Sequence, residues 1–230
     1  MSDHYFSSGA ALAPALAEAV AEALRLGLAQ RGAASLAVSG GKTPLAFFEA
    51  LSHQKLDWSK VSVTLADERW VPQSDARSNT RLVYQHLLVN EAMSARFVPL
   101  VNEAATPEAG LAHSLAGLND LPLPLDAVVL GMGDDGHTAS WFPGGDHLLL
   151  ALDMQAPPLV SMRAAGAPEP RITFTAPVLL NAKHLFLHFE GAAKQAVYAQ
   201  ARAQGAVADM PIRAVLRAER PVPVQVYCCG

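Results

Sequence analysis

Residues 125–140 read LDAVVLGMGDDGHTAS. The first six are apolar but for Asp126, and the run stops abruptly at Gly131, Gly133 and Gly136, which enclose Asp134 and Asp135 and lead into His137. A short, mainly apolar run fits a strand buried on both faces, as strands of parallel sheets are. The glycines behind it allow backbone conformations closed to other residues and fold an aspartate and a histidine into one tight turn. In open α/β sheets ligands bind beyond the carboxyl ends of the strands, which is where this turn falls.

The same grammar recurs on either side. Residues 35–39 (SLAVS) form a short buried strand that runs into Gly40-Gly41-Lys42-Thr43, and residues 61–65 (VSVTL) run into Ala66-Asp67-Glu68-Arg69. Residues 96–100 and 184–189 also read as strands, and residues 224–227 close the sheet. Helical patterns fill the intervals: residues 11–28, a helix opened by Thr43-Pro44 and running to about 51, then 78–89, 107–118, 176–181 and 192–204. Residues 171–175 (RITFT) fall in the later part, and the Pro/Gly-rich stretches 121–124 and 157–170 read as loops. Strands alternating with helices predict an α/β fold: a single doubly wound, Rossmann-like, mainly parallel sheet with helices on both faces. No repeat or long linker interrupts it, so residues 1–230 are expected to form one domain.

Composition narrows the function classes. The chain is 51% hydrophobic and 17% charged, enough for a packed core and unlike a disordered chain. A net charge of -4 without a Lys/Arg-rich face argues against nucleic acid as a partner. Pro14, Glu18, Glu22 and Arg25 interrupt the Ala/Leu-rich first helix, which therefore reads as amphipathic rather than as a signal or membrane span. Cys228 and Cys229 are adjacent and poorly placed to bridge each other, so a reducing, cytoplasmic setting is expected.

Three clusters carry candidate chemistry. In Ser39-Gly40-Gly41-Lys42-Thr43-Pro44, a glycine pair between a strand and a helix start lets backbone N–H groups approach an anion, with the helix N-terminus adding positive potential. A nucleotide phosphate loop is excluded, because its first glycine would be Leu36. The segment fits phosphate binding, the alternative being a tight strand-to-helix turn. Asp67-Glu68-Arg69 is either a surface ion-pair cluster or part of a site at a strand terminus. The Asp135/His137 turn points to an imidazole general base oriented by a carboxylate. Ser140 lacks the glycine surround of a nucleophile elbow. His184 and His188 have i,i+4 spacing but lie in a strand without a neighbouring glutamate, so no metal site is expected there; His4, His53, His86, His113 and His147 have no supporting pattern.

Together SGGKTP (39–44), LADERWVP (65–72) with Ser78-Asn79, and LGMGDDGHTASWFPG (130–144) resemble the 6-phosphogluconolactonases, in the wider family that includes the glucosamine-6-phosphate isomerases. RITFT (171–175) and Gly191-x-x-Lys194 match the same family, in order. The resemblance implies a small phosphorylated sugar as substrate and no redox cofactor. It implies phosphate contacts from the turn of Gly40, Gly41, Lys42 and Thr43, from Arg171 and from Lys194, with Lys42 standing where the family often has a small residue or Arg. It makes His137 the main catalytic group, with Asp67, Arg69 and Asp135 close to the sugar.

The isomerases follow their glycine turn with Asn-Glu-Pro-Gly, whose Glu assists ring opening and proton transfer. Here the matching residues are Trp141-Phe142-Pro143-Gly144, so an acid/base group of that reaction is missing. Lactone hydrolysis is the better reading: His137 activates water, backbone N–H groups of residues 131–136 or Arg69 stabilise the oxyanion, and Asp135 orients His137. A sugar-phosphate isomerase and a non-enzymatic sugar-phosphate sensor are the rivals. The expected state is a monomer or small homo-oligomer.

Overall fold

The computed structural model, which describes residues 1–230, lays the apolar runs side by side. In chain order the elements are β1 (Ser2–Phe6), α1 (Gly9–Arg31), β2 (Ala34–Val38), α2 (Leu45–Ser52), β3 (Val61–Leu65), β4 (Asp67–Arg69), α3 (Asn79–His86), β5 (Arg96–Phe97) and α4 (Pro107–Gly117). They continue with β6 (Ala127–Leu130), α5 (Leu148–Leu152), β7 (Leu159–Ala164), β8 (Ala167–Phe174), α6 (Ala176–Leu180), β9 (His184–Glu190), α7 (Ala192–Arg202), α8 (Ile212–Leu216) and β10 (Gln225–Cys229).

Seven strands form a parallel sheet in the order β1-β10-β9-β6-β2-β3-β5. β2, β3 and β6 are buried at every position, so both faces of the sheet centre are covered, as their largely apolar sequences require. From β2 the chain builds outward through β3 to β5, then returns to place β6 on the other side of β2 and builds the opposite way. The reversal opens a crevice beyond the carboxyl ends of β2 and β6, where such sheets bind ligands. At the far end of the same strands the fully buried Asp126 accepts the Ser35 N–H at 2.9 Å and pairs with Arg31 and with Lys183 Nζ at 3.1 Å.

Three features depart from the expected outline. β10 does not close the sheet: it lies between β9 and β1, and the edge is β1, whose sequence SDHYF is too polar to read as a strand. Residues 157–170 are not simply a loop, because β7 and β8 form an antiparallel hairpin there. Pro168 and Pro170 lack donors, and they sit where the β7–β8 register is irregular, between the pairs Met162–Arg171 and Ala164–Ala167. Finally, Asp67-Glu68-Arg69 is a strand of its own, pairing with β8 in a second, three-stranded antiparallel sheet ordered β4-β8-β7.

One continuous cluster of buried apolar residues joins the two sheets, from Leu36 and Val128 in the large one to Ile172 and Phe174 in the small one. The short sheet is therefore held rigidly over the carboxyl edge of the long one. Side-chain caps fix the helix starts nearby: Ser8, Ser78 and Thr106 accept the backbone N–H three residues on, at 3.3, 3.2 and 3.3 Å. No helix is long and apolar enough to cross a membrane. Cys228 and Cys229 are both buried in β10 and unbridged.

Candidate active site

A cavity of ≈ 380 Å³ lies over the switch between β2 and β6. Its wall takes Gly40, Gly41 and Thr43 from the turn after β2, Asp67 and Arg69 from β4, and His137 from the turn after β6. Arg171 comes from β8 and Lys194 from α7, so residues distant in sequence converge on one space.

The turn after β6 is built around the histidine. Gly133 N–H donates to the His137 carbonyl at 2.8 Å, and Gly136 N–H donates to the Gly133 carbonyl at 3.1 Å. A Cβ on Gly133 would stand 2.1 Å from His137 Nδ1, so only glycine leaves the ring its place. Asp135 Oδ1 accepts from His137 Nδ1 at 2.5 Å, which leaves Nε2 without a protein partner. That hydrogen bond holds the Asp135 carboxyl down at about 2, against a partial opposing effect of burial. Asp135 itself is outside the cavity wall, behind the ring that it orients. Phe142 packs on the ring with centroids 4.5 Å apart, and Ala139 adopts φ 47, a left-handed conformation strained for alanine.

Asp67 is buried, and its Oδ2 accepts the Ser140 hydroxyl. Ser140 is fully buried, so its part here is to hold a carboxylate. Arg171 Nη1 stands 4.0 Å from the same Asp67 oxygen, and its guanidinium lies 5.6 Å from the Phe142 ring centre. Burial lowers the Arg171 pKa from its usual value, with Asp67 acting in the opposite sense and the Arg69 charge adding to the fall. Arg69 and Arg171 are direct cross-strand partners, and the buried Nε of each has no partner in the protein. Two guanidiniums side by side with unused donors make an anion-seeking wall.

Glu68, between Asp67 and Arg69 in sequence, points the other way. It is fully buried and accepts the backbone N–H groups of Arg69, Asn79 and Thr80 at 2.8, 2.9 and 2.7 Å, and the Ser78 hydroxyl at 3.2 Å. A carboxylate suits the positive end of α3, although burial pushes its pKa above the ordinary value. Glu68 thereby fixes Asn79, which donates to the Asp67 carbonyl at 3.3 Å and lines the cavity. Gly40 is packed against Asn79 so closely that a Cβ would fall 1.9 Å from Oδ1.

Lys194 Nζ pairs with Asp134 Oδ1 at 2.7 Å, and both line the cavity. Lys42 is exposed and is not part of the wall, which takes Gly40, Gly41 and Thr43 from this turn instead. The wall also holds Asn79, Asp134, Phe142 and His188, to which sequence reading assigned no site role; Ser78-Asn79 was legible only as part of a motif. No group of three or more His, Cys, Asp or Glu side chains is placed to hold a metal ion.

Comparison with known proteins sets this geometry in a family. The model of the glucosamine-6-phosphate isomerases/6-phosphogluconolactonase family matches residues 7–224. The chain belongs to that family. Within it, the chain is 54% identical to a 6-phosphogluconolactonase of Rhizobium meliloti (strain 1021) over 225 residues, 97% of each. It is 47% identical to one of Pseudomonas aeruginosa, over 96% of this chain and 93% of the relative. A crystal structure of a 6-phosphogluconolactonase from Shewanella baltica OS155 superposes with a TM-score of 0.96 at 45% identity, covering 100% of this chain and 98% of that one. At the site the ring of Phe142, 6% exposed, stands between His137 and Arg171.

Proposed function

We propose that this chain is a 6-phosphogluconolactonase, hydrolysing 6-phospho-D-glucono-1,5-lactone to 6-phospho-D-gluconate in the oxidative pentose phosphate pathway. The observation that carries this reading is the Asp135–His137 pair, with Nε2 unpartnered on a cavity whose other walls offer Arg69, Arg171 and Lys194. The names and high identity of the relatives support the lactonase branch, and the apolar Phe142 supports it against an isomerase.

In this mechanism His137 Nε2 takes a proton from water as its oxygen attacks the C1 carbonyl, and the proton is later delivered to the departing ring oxygen. Asp135 keeps Nδ1 protonated and the ring oriented. The Gly133 and Gly136 amides are spent inside the turn, and the oxyanion is assigned to the buried Nε–H of Arg69, which has no acceptor in the protein. Asp67, held by Ser140, binds sugar hydroxyls. The backbone of Gly40, Gly41 and Thr43 binds the phosphate together with Arg171 and Lys194, and Lys42 adds positive potential at the rim. Anchoring the phosphate holds the lactone ring against the water, where positioning contributes to rate. Residues 1–230 act as one cytoplasmic lactonase domain, as a monomer or small homo-oligomer, needing neither metal nor redox cofactor for this chemistry.

The test generates the lactone in situ and follows 6-phosphogluconate with a coupled dehydrogenase, against spontaneous hydrolysis and the His137→Ala protein. Acceleration by the wild type alone is expected. A folded wild type that does not accelerate hydrolysis would overturn the assignment.

A further inference from the structure

His188 is a second imidazole in the cavity wall, and the proposed chemistry leaves it unused. It sits near the carboxyl end of β9 and is 3% exposed. Its Nε2 is committed to Glu190 Oε1 at 3.0 Å. Glu190 in turn packs on the first residue of α1, where a Cβ on Gly9 would stand 2.4 Å from Oε2, a location that suits negative charge. The other ring nitrogen, Nδ1, has no partner in the protein. That nitrogen is not among the buried atoms left without a partner, and the residue lines the cavity, where a ligand can reach it.

The neighbours say which end of a ligand it would meet. The edge of the His188 ring faces Phe47 of α2, 6.3 Å between centroids, and α2 follows directly from the Gly40–Thr43 turn. Lys194 lies one turn into α7, the helix that β9 feeds. His188 thus lines the cavity beside α2 and before α7, the two elements that follow from or carry groups assigned to phosphate.

We propose that His188 binds the substrate phosphate through Nδ1, with Glu190 holding the opposite nitrogen. This rests on the sugar-phosphate reading of the cavity. Because Nε2–H is given to Glu190, a neutral ring presents a lone pair at Nδ1, which accepts a hydrogen bond from a phosphate monoanion's P–OH. A dianion has no such proton, so its binding draws one from solvent onto Nδ1, which then donates to a phosphate oxygen. Either complex holds one proton between nitrogen and oxygen. Burial depresses the His188 pKa in the free protein, with Glu190 opposing, so the ring begins neutral. The other titratable groups around the pair are Cys229 on β10, beside Glu190, and Lys194 on α7. Neither is arranged to take up this proton: the Cys229 thiol is already protonated, its pKa raised by burial, and Lys194 is engaged in the Asp134 ion pair.

The experiment titrates the full chain with 6-phosphogluconate, well above the phosphate's second pKa of about 6, in two buffers of different ionisation enthalpy. Wild type is expected to take up close to one proton per ligand bound, whereas His188→Gln takes up almost none and binds roughly tenfold more weakly, as loss of a charged hydrogen bond implies. In wild type labelled with ¹⁵N-histidine, saturation should convert the His188 Nδ1 resonance from an acceptor to an N–H type; this readout needs no variant to fold. Binding without proton uptake and without that conversion overturns the role of His188 while leaving lactone hydrolysis standing. A wild type that neither binds 6-phosphogluconate nor hydrolyses the lactone overturns both.

Discussion

Asp135 Oδ1 accepts from two atoms of the same neighbour, the His137 backbone N–H at 3.0 Å and the His137 ring Nδ1 at 2.5 Å. One bond sets where the residue's backbone lies and the other sets the ring's tautomer, so a single carboxylate oxygen determines both. Asparagine could mimic the shape but would offer only its carbonyl oxygen or its amide, without the charge that stabilises an imidazolium. Asp135→Asn is expected to lower kcat about 10²–10⁴-fold, and adding His137→Ala should cost little more, since the two act as a unit. Additive losses in the coupled assay would show that they work independently.

The same pair leaves a trace in stability. The folded-state pKa of Asp135, about 2, lies below the ~3.9 of an unfolded aspartate. Its contribution is therefore complete above about pH 4 and is lost as pH falls through about 2. The side chain is half exposed, so solvent screening keeps the effect to about 1 kcal/mol or less. Wild type should melt slightly above Asp135→Asn at neutral pH, with the gap closing toward pH ~2; a gap that widened on acidification would contradict the pairing.

Gly133→Ala tests the ring's position without replacing a titratable group. The new methyl would meet His137 Nδ1, and the ring must rotate away from Asp135. Activity should fall about as far as in Asp135→Asn, by 10²-fold or more, while the melting transition stays cooperative. Full activity in this variant would show that the turn relaxes at no expense to the chemistry.

Lys194 and Asp134 make opposite predictions across one ion pair. Lys194→Ala should raise KM about tenfold or more, as loss of a charged hydrogen bond does. Asp134→Asn frees the ammonium and should lower KM, by less than about fivefold because the aspartate is exposed. An Asp134→Asn protein with raised KM would mean that this carboxylate touches substrate.

Glu68→Ala strips three backbone N–H groups and a hydroxyl of their acceptor inside the protein. Urea unfolding should register a loss of roughly 3 kcal/mol, and Glu68→Gln should recover part of it. An unchanged midpoint for Glu68→Ala would require water to replace the carboxylate.

How much of this was legible in the sequence follows from how local each signal is. β2, β3, β6 and β9 announce themselves as apolar runs, and the turns behind β2 and β6 carry their chemistry in consecutive residues. β1 does not, because an edge strand needs little apolar character; its partners lie more than two hundred residues away in β10. The β7–β8 hairpin is hidden by prolines that the irregular register accommodates. Glu68 reads as one more surface charge until the α3 amides come round to meet it, and Asn79 becomes a wall residue only through that contact. His188 is masked by sitting in an apolar strand, where a histidine with a free nitrogen looks like any other core residue.

The two glycine turns ride on β2 and β6, strands hydrogen-bonded to each other, with Ser39 N–H donating to the Val129 carbonyl at 2.9 Å just before they diverge. The roots of the two turns are therefore fixed by the sheet, at the ~4.8 Å between neighbouring strands, and not by side-chain packing. The site carries a built-in ruler. Substitutions in surrounding loops and helices can loosen what flanks it, but they cannot stretch it; only an inserted or deleted residue within one of the two turns would change the length of molecule that it measures.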